Sequence, residues 1–353
     1  MATTEGMMDT AARIGAPETL PAAWYSDREL WQRERRTVYG ASWNLVARED
    51  QLAEPGSYVA QDVAGWPVFV LRGRDGGLRA FHNVCRHRAS PMVDEGAGRA
   101  EVLRCRYHGW VYDQDGRLRK APDFGDGLDL AQNALFPIRV ETWRRLVFVC
   151  LDDQAPGLGS WLGSIDERSR RYPVERMRFH RASVVDLGVN WKTYGDNYAE
   201  GYHVPTLHPA LDRAIDMATY RVECGVEEGV QIHSAAASGG GTSGLWLWKF
   251  PGLFLNMYDW GMNIARLEPL DHGRSQLAYW FFFDEDAPDG AAKRDEMMRW
   301  SLTIAEEDKT ICVQVQRNLD AGVYDTGRLS PLMETGVIQF QDWVRRRLGS
   351  NLG

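Results

Sequence analysis

Two short pairs of metal-binding residues constrain this chain more than any other feature of its sequence. Cys85 and His87 form the first pair, and Cys105 and His108 form the second. Two thiolates and two imidazoles suit a [2Fe–2S] cluster in which the cysteines hold one iron and the histidines hold the other. Neutral imidazoles raise the reduction potential of such a cluster. The pattern therefore predicts a one-electron relay.

A zinc site is the alternative interpretation, because zinc binds the same ligand types. Zinc fingers usually pair Cys with Cys at one end and His with His at the other. Here each end carries one Cys and one His, which favours the iron–sulfur interpretation. The surrounding residues, Cys85-Arg86-His87-Arg88 and Cys105-Arg106-Tyr107-His108-Gly109-Trp110, resemble the Rieske domain of ring-hydroxylating oxygenases.

Charge and composition exclude several other classes of protein. The chain has 353 residues, with 49 acidic and 41 basic side chains, which argues against a nucleic-acid groove. Its five cysteines are scattered and predict no disulfide framework. There is no apolar run of membrane-spanning length and no secretory signal at residues 1–6. We therefore expect a soluble, cytoplasmic protein without a membrane partner.

The pattern along the chain predicts an α+β protein with three parts. Residues 1–40 should be an N-terminal tail (1–20) and a helix (23–39) that packs on the third part. Residues 41–152 carry short apolar runs broken by Gly, Pro and Asp, typical of a small all-β module. Residues 153–353 should form an antiparallel sheet closed by a long C-terminal helix (293–319); the resemblance to ring-hydroxylating oxygenases implies that this part is the catalytic domain, with a helix-grip or START-like fold. The individual elements predicted there are strands at 184–189, 245–250, 253–260, 262–268 and 276–283, and a helix over 191–203.

A loop predicted at residues 234–244 contains Gly239-x-Gly241-x-x-Gly244, which matches a dinucleotide fingerprint as a string. It opens no helix and no βαβ unit surrounds it, so we discard it. Without a nicotinamide or flavin site, the chain must receive its electrons from another protein.

Two histidines, His203 and His208, are candidates for a second metal site. Five residues along a straight helix would splay two imidazoles by about 140°. Pro205 disfavours helical geometry at Val204, and a bend there would bring both rings to one metal. Two unrelated histidines, one capping a helix and one on the surface, remain the alternative.

Asp308 is the candidate third ligand. It lies within an apolar stripe of the predicted C-terminal helix formed by Ile304, Ile311, Cys312, Val315 and Leu319, whereas Glu306 and Glu307 should point elsewhere. A buried carboxylate needs a cation, either a metal or an arginine. With a metal, the three residues form a two-histidine, one-carboxylate face that leaves positions open on Fe(II).

This second motif also resembles the iron-binding segment of Rieske oxygenase α subunits. The likeness covers Tyr202-His203 to His208-Pro209, the Glu307-Asp308 helix and the cluster motif, in the family's order. It implies a mononuclear Fe(II), O2, and electrons from NAD(P)H through a separate flavin/iron–sulfur reductase or a ferredoxin. It also implies a homotrimer in which Glu200 bridges His203 to a cluster histidine of the neighbouring subunit. A solvated helix residue is the alternative for Glu200.

The substrate is the least constrained part of the prediction. Trp246 and Trp248 alternate along one predicted strand, and Tyr258 and Trp260 lie on the next, so these rings could cage a trimethylammonium group. Core packing explains the same alternation. Three functions stay open: oxidation of a quaternary ammonium or N-methyl compound, hydroxylation of an aromatic acid or natural product, and electron transfer without catalysis. The resemblance to the choline-, carnitine- and betaine-oxidising branch favours the first.

Overall fold

A computed structural model describes residues 17–170, 172, 176–225, 227–284 and 290–349 of this protein. The tail predicted over residues 1–20 lies mostly outside these ranges. The chain divides into two compact units. Arg35–Leu162 forms one, called the β unit here, and Met1–Glu34 with Gly163–Gly353 forms the other, called the α+β unit. The predicted boundaries at 40/41 and 152/153 lie near these divisions.

The N-terminal segment predicted as one helix over 23–39 consists of three pieces. They are a 3-10 helix at Ala22–Tyr25, helix α1 at Arg28–Glu34 and a π-helical turn at Arg35–Gly40. Asp27 explains the first break, because its Oδ1 accepts the N–H groups of Glu29 at 2.7 Å and Leu30 at 3.0 Å. Such a side chain begins a new helix.

Ten strands build the β unit. They are β1 (Asn44–Arg48), β2 (Ser57–Val63), β3 (Trp66–Arg72), β4 (Leu78–His82), β5 (Gly96–Arg99), β6 (Leu103–Arg104), β7 (Val111–Tyr112), β8 (Leu118–Lys120), β9 (Pro137–Trp143) and β10 (Leu146–Cys150), followed by the short helix α2 (Leu158–Leu162). Seven strands form a sheet in the order β1-β10-β9-β4-β3-β2-β5, and β6-β7-β8 form a second sheet. Every pairing is antiparallel. Cys85 and Cys105 lie in its core, packed among rings that include Phe69, Phe81 and Trp110.

The α+β unit contains one large antiparallel sheet. Its described strands are β11 (Met177–Asp186), β12 (Arg221–Glu223), β13 (Val230–Ala235), β14 (Gly244–Lys249), β15 (Leu253–Tyr258), β16 (Gly261–Asp271) and β17 (Arg274–Asp284), in the order β11-β17-β16-β15-β14-β13-β12. Its further described helices are α3 (Ser164–Ser169), α4 (Trp191–Tyr198), α5 (Val204–Leu207), α6 (Pro209–Ala214), α7 (Ala291–Asp320) and α8 (Thr335–Leu348). The sheet with its long helix α7 confirms the predicted fold class. None of the described helices is long and apolar enough to cross a membrane.

Several predicted boundaries were wrong. Strand β11 starts at Met177, before the predicted 184. The prediction missed its first residues because charged side chains interrupt the apolar ones along this strand at the edge of the sheet. Strands β12 and β13 were not predicted, and β13 extends to Ala235 within the predicted loop 234–244. The helix predicted to reach residue 203 ends at Tyr198.

Candidate metal centres and substrate cavity

Three predicted ligands come together in the α+β unit. One potential ligand atom from each of His203, His208 and Asp308 lies within 4.8 Å of the others. His208 Nε2 is 2.9 Å from Asp308 Oδ1, and His203 Nε2 is 3.6 Å from the same oxygen. We call these three residues the triad. Its two nitrogens and one oxygen point at a common centre.

Each triad imidazole has a carboxylate on its other nitrogen. Glu200 Oε1 lies 2.6 Å from His203 Nδ1, and Glu307 Oε2 lies 2.7 Å from His208 Nδ1. A carboxylate accepts the Nδ1–H, which leaves a lone pair on Nε2 and fixes the tautomer that a metal ligand needs. Two Nε2 lone pairs and a carboxylate oxygen then face one another. A shared cation resolves this convergence, so the residues fit a mononuclear metal ion.

The charged groups around His208 also indicate a site for a cation. Burial lowers the pKa of its imidazole, but the hydrogen bonds and charges of Asp308 and Glu307 outweigh burial and raise the pKa above its ordinary value. Positive charge is therefore stabilised between these groups, as expected for a cation site.

Prolines position the histidines in a way the sequence analysis did not foresee. Pro205 was predicted to disfavour helical geometry at Val204, but a new helix, α5, begins at Val204. Pro205 lies in the first turn of α5, and Pro209 lies in the first turn of α6. Proline is favoured there because the N–H groups of a first turn have no acceptor within the helix. His203 precedes α5 and His208 separates α5 from α6, so two short helices bring the rings together.

Helix α7 supplies Asp308, which is only 7% exposed. The predicted apolar stripe was partly wrong, because Val315 is 43% exposed. The buried face of α7 comprises Met298, Ser301, Ala305, Asp308, Cys312 and Gln316. Asp308 Oδ1 also accepts from Asn197 Nδ2 at 2.7 Å. Within the described residues its recorded partners are this amide and the two imidazoles, not the arginine of the alternative interpretation.

Glu200 contacts His203 without sharing a helix with it. The helix predicted over 191–203 would contain both residues, but helix α4 has ended before Glu200. The Glu200 carboxylate accepts the backbone N–H groups of Tyr202 and His203 as well as the His203 ring. These local hydrogen bonds compete with helical ones, which explains why the helix stops early.

Two residues at this centre were missed. The sequence analysis turned Glu307 away from the metal, yet its long side chain reaches His208. Asn197, which holds Asp308, was given no role. Helix periodicity follows the Cβ direction and gives no signal for a flexible side chain that bends back across its helix.

The four predicted cluster ligands occupy two loops of the β unit that have the same main-chain pattern. In one, Ala89 N donates to Cys85 O at 3.0 Å, and in the other Gly109 N donates to Cys105 O at 3.0 Å. The cysteine N–H groups are paired equivalently, to the carbonyls of Ser90 and Trp110, both at 2.8 Å. The matching loops present one Cys and one His each.

The donor set in these loops fits a cluster. Both cysteines are free and buried, and their thiols interact with each other. The rings of His87 and His108 are 4.4 Å apart, and Trp110 stacks on His87 at 4.8 Å. Among the described residues, His87 Nδ1 is buried and has no hydrogen-bond partner. A buried nitrogen without a partner is costly unless it binds a metal.

A cavity opens directly onto the triad. Its volume is about 100 Å³, below the roughly 300–1,000 Å³ of pockets for drug-sized ligands. Six aromatic residues line its wall: Tyr194, Tyr198, Tyr220, Trp246, Tyr258 and Tyr279. Trp246 Nε1 donates to Tyr258 Oη at 2.9 Å, and the two rings meet at 82°. With Tyr220, whose ring lies 6.3 Å from Trp246, they form what we call the aromatic corner.

Two of the four aromatic residues proposed for the pocket, Trp246 and Tyr258, line the cavity. Trp248 and Trp260 are not among its described lining residues. Trp248 is fully buried and packs on Phe254 and Phe340. Trp260 stacks behind Tyr258 at 4.7 Å. Strand alternation predicts which rings share a face, but not which of them reach the cavity.

Two family models match the chain. The Rieske [2Fe-2S] domain matches residues 42–139. The catalytic domain of the ring-hydroxylating alpha subunit matches residues 174–241 and 225–350. Together these matches include both candidate metal centres.

Relatives of known activity match nearly the whole chain. A chloroplastic choline monooxygenase of Beta vulgaris is 28% identical over 345 residues, covering 94% of this chain and 77% of the relative. The glycine betaine monooxygenase oxygenase subunit of Chromohalobacter salexigens is 27% identical, covering 95% and 86%. A crystal structure of the quaternary ammonium Rieske monooxygenase CntA with an inhibitor has a TM-score of 0.86 at 25% identity, covering 97% and 98%.

Proposed function

The chain belongs to the family of Rieske-type ring-hydroxylating oxygenase α subunits, and on that premise we propose that it oxidises a small quaternary ammonium or N-methyl compound. The reaction is hydroxylation or oxidative demethylation. As a family member it is a non-heme iron oxygenase with a Rieske cluster. We propose that Cys85, His87, Cys105 and His108 hold the cluster, and that the triad of His203, His208 and Asp308 holds the mononuclear iron.

The two cofactors divide the chemistry. The cluster supplies single electrons and the mononuclear iron supplies the activation of O2. The residues of the chain bind and orient the substrate, exclude water and fix the tautomers of the ligands. Glu200 and Glu307 hold the two Nδ1 protons, and Asn197 holds the Asp308 carboxylate.

The observation that carries the substrate proposal is the aromatic corner beside the triad. A quaternary ammonium group cannot donate a hydrogen bond, so it is recognised by the faces of aromatic rings. Tyr220, Trp246 and Tyr258 contribute three neighbouring rings to the wall of a cavity of small volume. Cation–π contacts of this kind contribute about 1–2 kcal/mol each when desolvated. The names of the relatives, which include choline and glycine betaine, agree with this choice.

Electron supply requires partners in this proposal. NAD(P)H would give two electrons to the flavin of a separate flavin/iron–sulfur reductase, which would pass them on one at a time, directly or through a ferredoxin, to the cluster held by Cys85, His87, Cys105 and His108. In a cytoplasmic homotrimer, Glu200 would link a cluster histidine of the neighbouring subunit to His203 of the triad and so provide the path between the two centres. The 2.6 Å contact between Glu200 and His203 supports the second half of this route.

The test is product mass after turnover with a surrogate reductase, NADH and O2. One substrate panel holds trimethylammonium and N-methyl compounds, and the other holds aromatic acids. We expect one added oxygen, or loss of a methyl group as formaldehyde, from the first panel. Hydroxylation confined to the aromatic panel would refute the proposal.

A further inference from the structure

The charged side chains that line the cavity, among the described residues, are negative. Among the described lining residues, the formally charged side chains are the carboxylates Glu200 and Asp308, and none is a lysine or an arginine. A divalent ion at the triad cancels these two charges and leaves no surplus positive charge. The wall therefore offers aromatic faces to a cation and no counter-charge to an anion.

His233 does not supply a positive charge either. It is buried on strand β13 and lines the cavity beside Tyr220, whose hydroxyl lies 2.7 Å from His233 Nδ1. Burial lowers the pKa of this imidazole to about 3. The ring is neutral at physiological pH, and it acts as a hydrogen-bond partner for Tyr220.

Three neutral polar residues of the wall, Tyr198, Asn256 and Ser301, are joined in a series of hydrogen bonds through Asn263. Tyr198 Oη donates to Asn256 Oδ1 at 2.8 Å, and Asn256 Nδ2 donates to Asn263 Oδ1 at 2.8 Å. Asn263 Nδ2 then donates to Ser301 Oγ at 3.1 Å. This series leaves the Ser301 hydroxyl proton to donate, and the Tyr258 hydroxyl is similarly left to donate after accepting from Trp246. Such groups can pair with a hydroxyl or a carbonyl of the substrate.

We propose that this cavity selects a quaternary ammonium compound whose tail carries no carboxylate, an amino alcohol of the choline type rather than a zwitterionic betaine. The inference rests on the proposed function and narrows its substrate class. A carboxylate that leaves water for this wall loses its hydration and gains only neutral hydrogen bonds, whereas an alcohol loses little. Choline and glycine betaine share the trimethylammonium head, so the tail of the substrate decides which of them this cavity accepts.

Three probes with the same trimethylammonium head separate charge from shape. Choline has an alcohol tail, glycine betaine has a carboxylate tail, and glycine betaine amide has the shape of the betaine without its negative charge. Their binding to the holoenzyme is measured anaerobically by calorimetry, and their turnover is measured as kcat/KM with the surrogate reductase.

We expect choline and the amide to bind at least tenfold more tightly than glycine betaine, with kcat/KM following the same order. If glycine betaine binds as tightly as its amide and is oxidised, the carboxylate-free inference is wrong while the proposed function stands. If none of the three is bound or oxidised and an aromatic acid is, the proposed function fails and the inference fails with it.

Discussion

The two proposed metal centres of this protein are assembled by different kinds of contact. At the cluster loops, main-chain hydrogen bonds set the geometry, because the carbonyls of Cys85 and Cys105 each accept an N–H from four residues later. At the triad, the proposed ligands come from separate segments, and His208 and Asp308 are 100 residues apart in sequence.

The two centres also orient their imidazoles differently. The triad histidines are held by the carboxylates of Glu200 and Glu307. The cluster histidines lie against rings, with Trp110 stacked on His87 and Tyr107 beside His108. Substitution of side chains that are distant in sequence should therefore disrupt the triad. Changes in local backbone geometry should disrupt the cluster loops.

The largest expected effect is the loss of one centre without the other. Asp308→Ala removes the oxygen on which both imidazoles converge, so the mononuclear iron and all turnover should be lost. The cluster ligands lie in the β unit, and the visible absorption of the cluster should persist. Iron content and the visible spectrum measure both, with Glu306→Ala, exposed on the same helix, as the control. Loss of cluster absorption in Asp308→Ala would show that the centres do not form independently.

Glu200→Ala should nearly abolish turnover while leaving both metals in place. The carboxylate is not a ligand in our proposal, but it holds the His203 Nδ1 proton and bridges to the neighbouring cluster. Chemical reduction of the cluster should keep its normal rate, and transfer to the mononuclear iron should slow in single-turnover kinetics. Wild-type turnover in this variant would refute the bridging role.

Glu307→Gln should have a smaller effect on the same centre. It weakens the hydrogen bond that orients His208, and loss of an outer partner of this kind lowers activity by roughly 10- to 100-fold. The value of kcat, measured with the iron site saturated, reports the loss. Glu306→Gln is the matched control because Glu306 pairs with Lys309 on the surface. Equal effects of the two substitutions would mean that only the total charge of the helix matters.

The contrast between the centres also explains what the sequence could predict. Cys85, His87, Cys105 and His108 are close in sequence within each pair, so their spacing alone predicts a cluster. His203 and His208 were paired by proximity, and Asp308 by its position on the buried face of a helix.

What sequence reasoning missed depends on tertiary contacts. The end of helix α4 at Tyr198 depends on the Glu200 carboxylate, which bonds backbone N–H groups beyond it. Glu307 reaches His208 only because the fold brings helix α7 next to the segment between α5 and α6. Which aromatic rings reach the cavity depends on what packs against each part of the sheet: Trp248 lies against Phe340 of α8, whereas Trp246, two residues earlier on the same strand, lines the cavity.

Lowering the pH should reduce the free energy of unfolding of the α+β unit through His233. Its folded pKa is lowered to about 3 by burial, and an unfolded histidine titrates near 6.5. The unfolded state therefore binds more protons between these values, and stability falls as pH drops from about 6.5 toward 3, by about 1.4 kcal/mol for each pH unit. His233→Gln should reduce this slope in denaturant unfolding.

The stability of the variant must be compared with that of wild type at each pH, because titration of Asp196 changes the stability in the opposite direction. Burial raises the pKa of this carboxyl to about 6, so its contribution to stability grows as pH falls. An unchanged slope in His233→Gln would show that His233 is not protonated on unfolding in this range.

The smallest expected effect concerns the two cluster loops themselves. Gly109 has φ +72° and Ala89, at the equivalent position, has φ +56°. A Cβ at Gly109 would meet only ordinary contacts, with the nearest atom of Pro122 at 3.6 Å. Gly109→Ala should therefore cost only the left-handed backbone penalty, about 1–2 kcal/mol, and Ala89→Gly should cost nothing comparable. The midpoint of thermal loss of cluster absorption measures both. If Gly109→Ala instead removes the cluster entirely, the two loops are not equivalent, because Ala89 adopts a left-handed backbone conformation while carrying a Cβ.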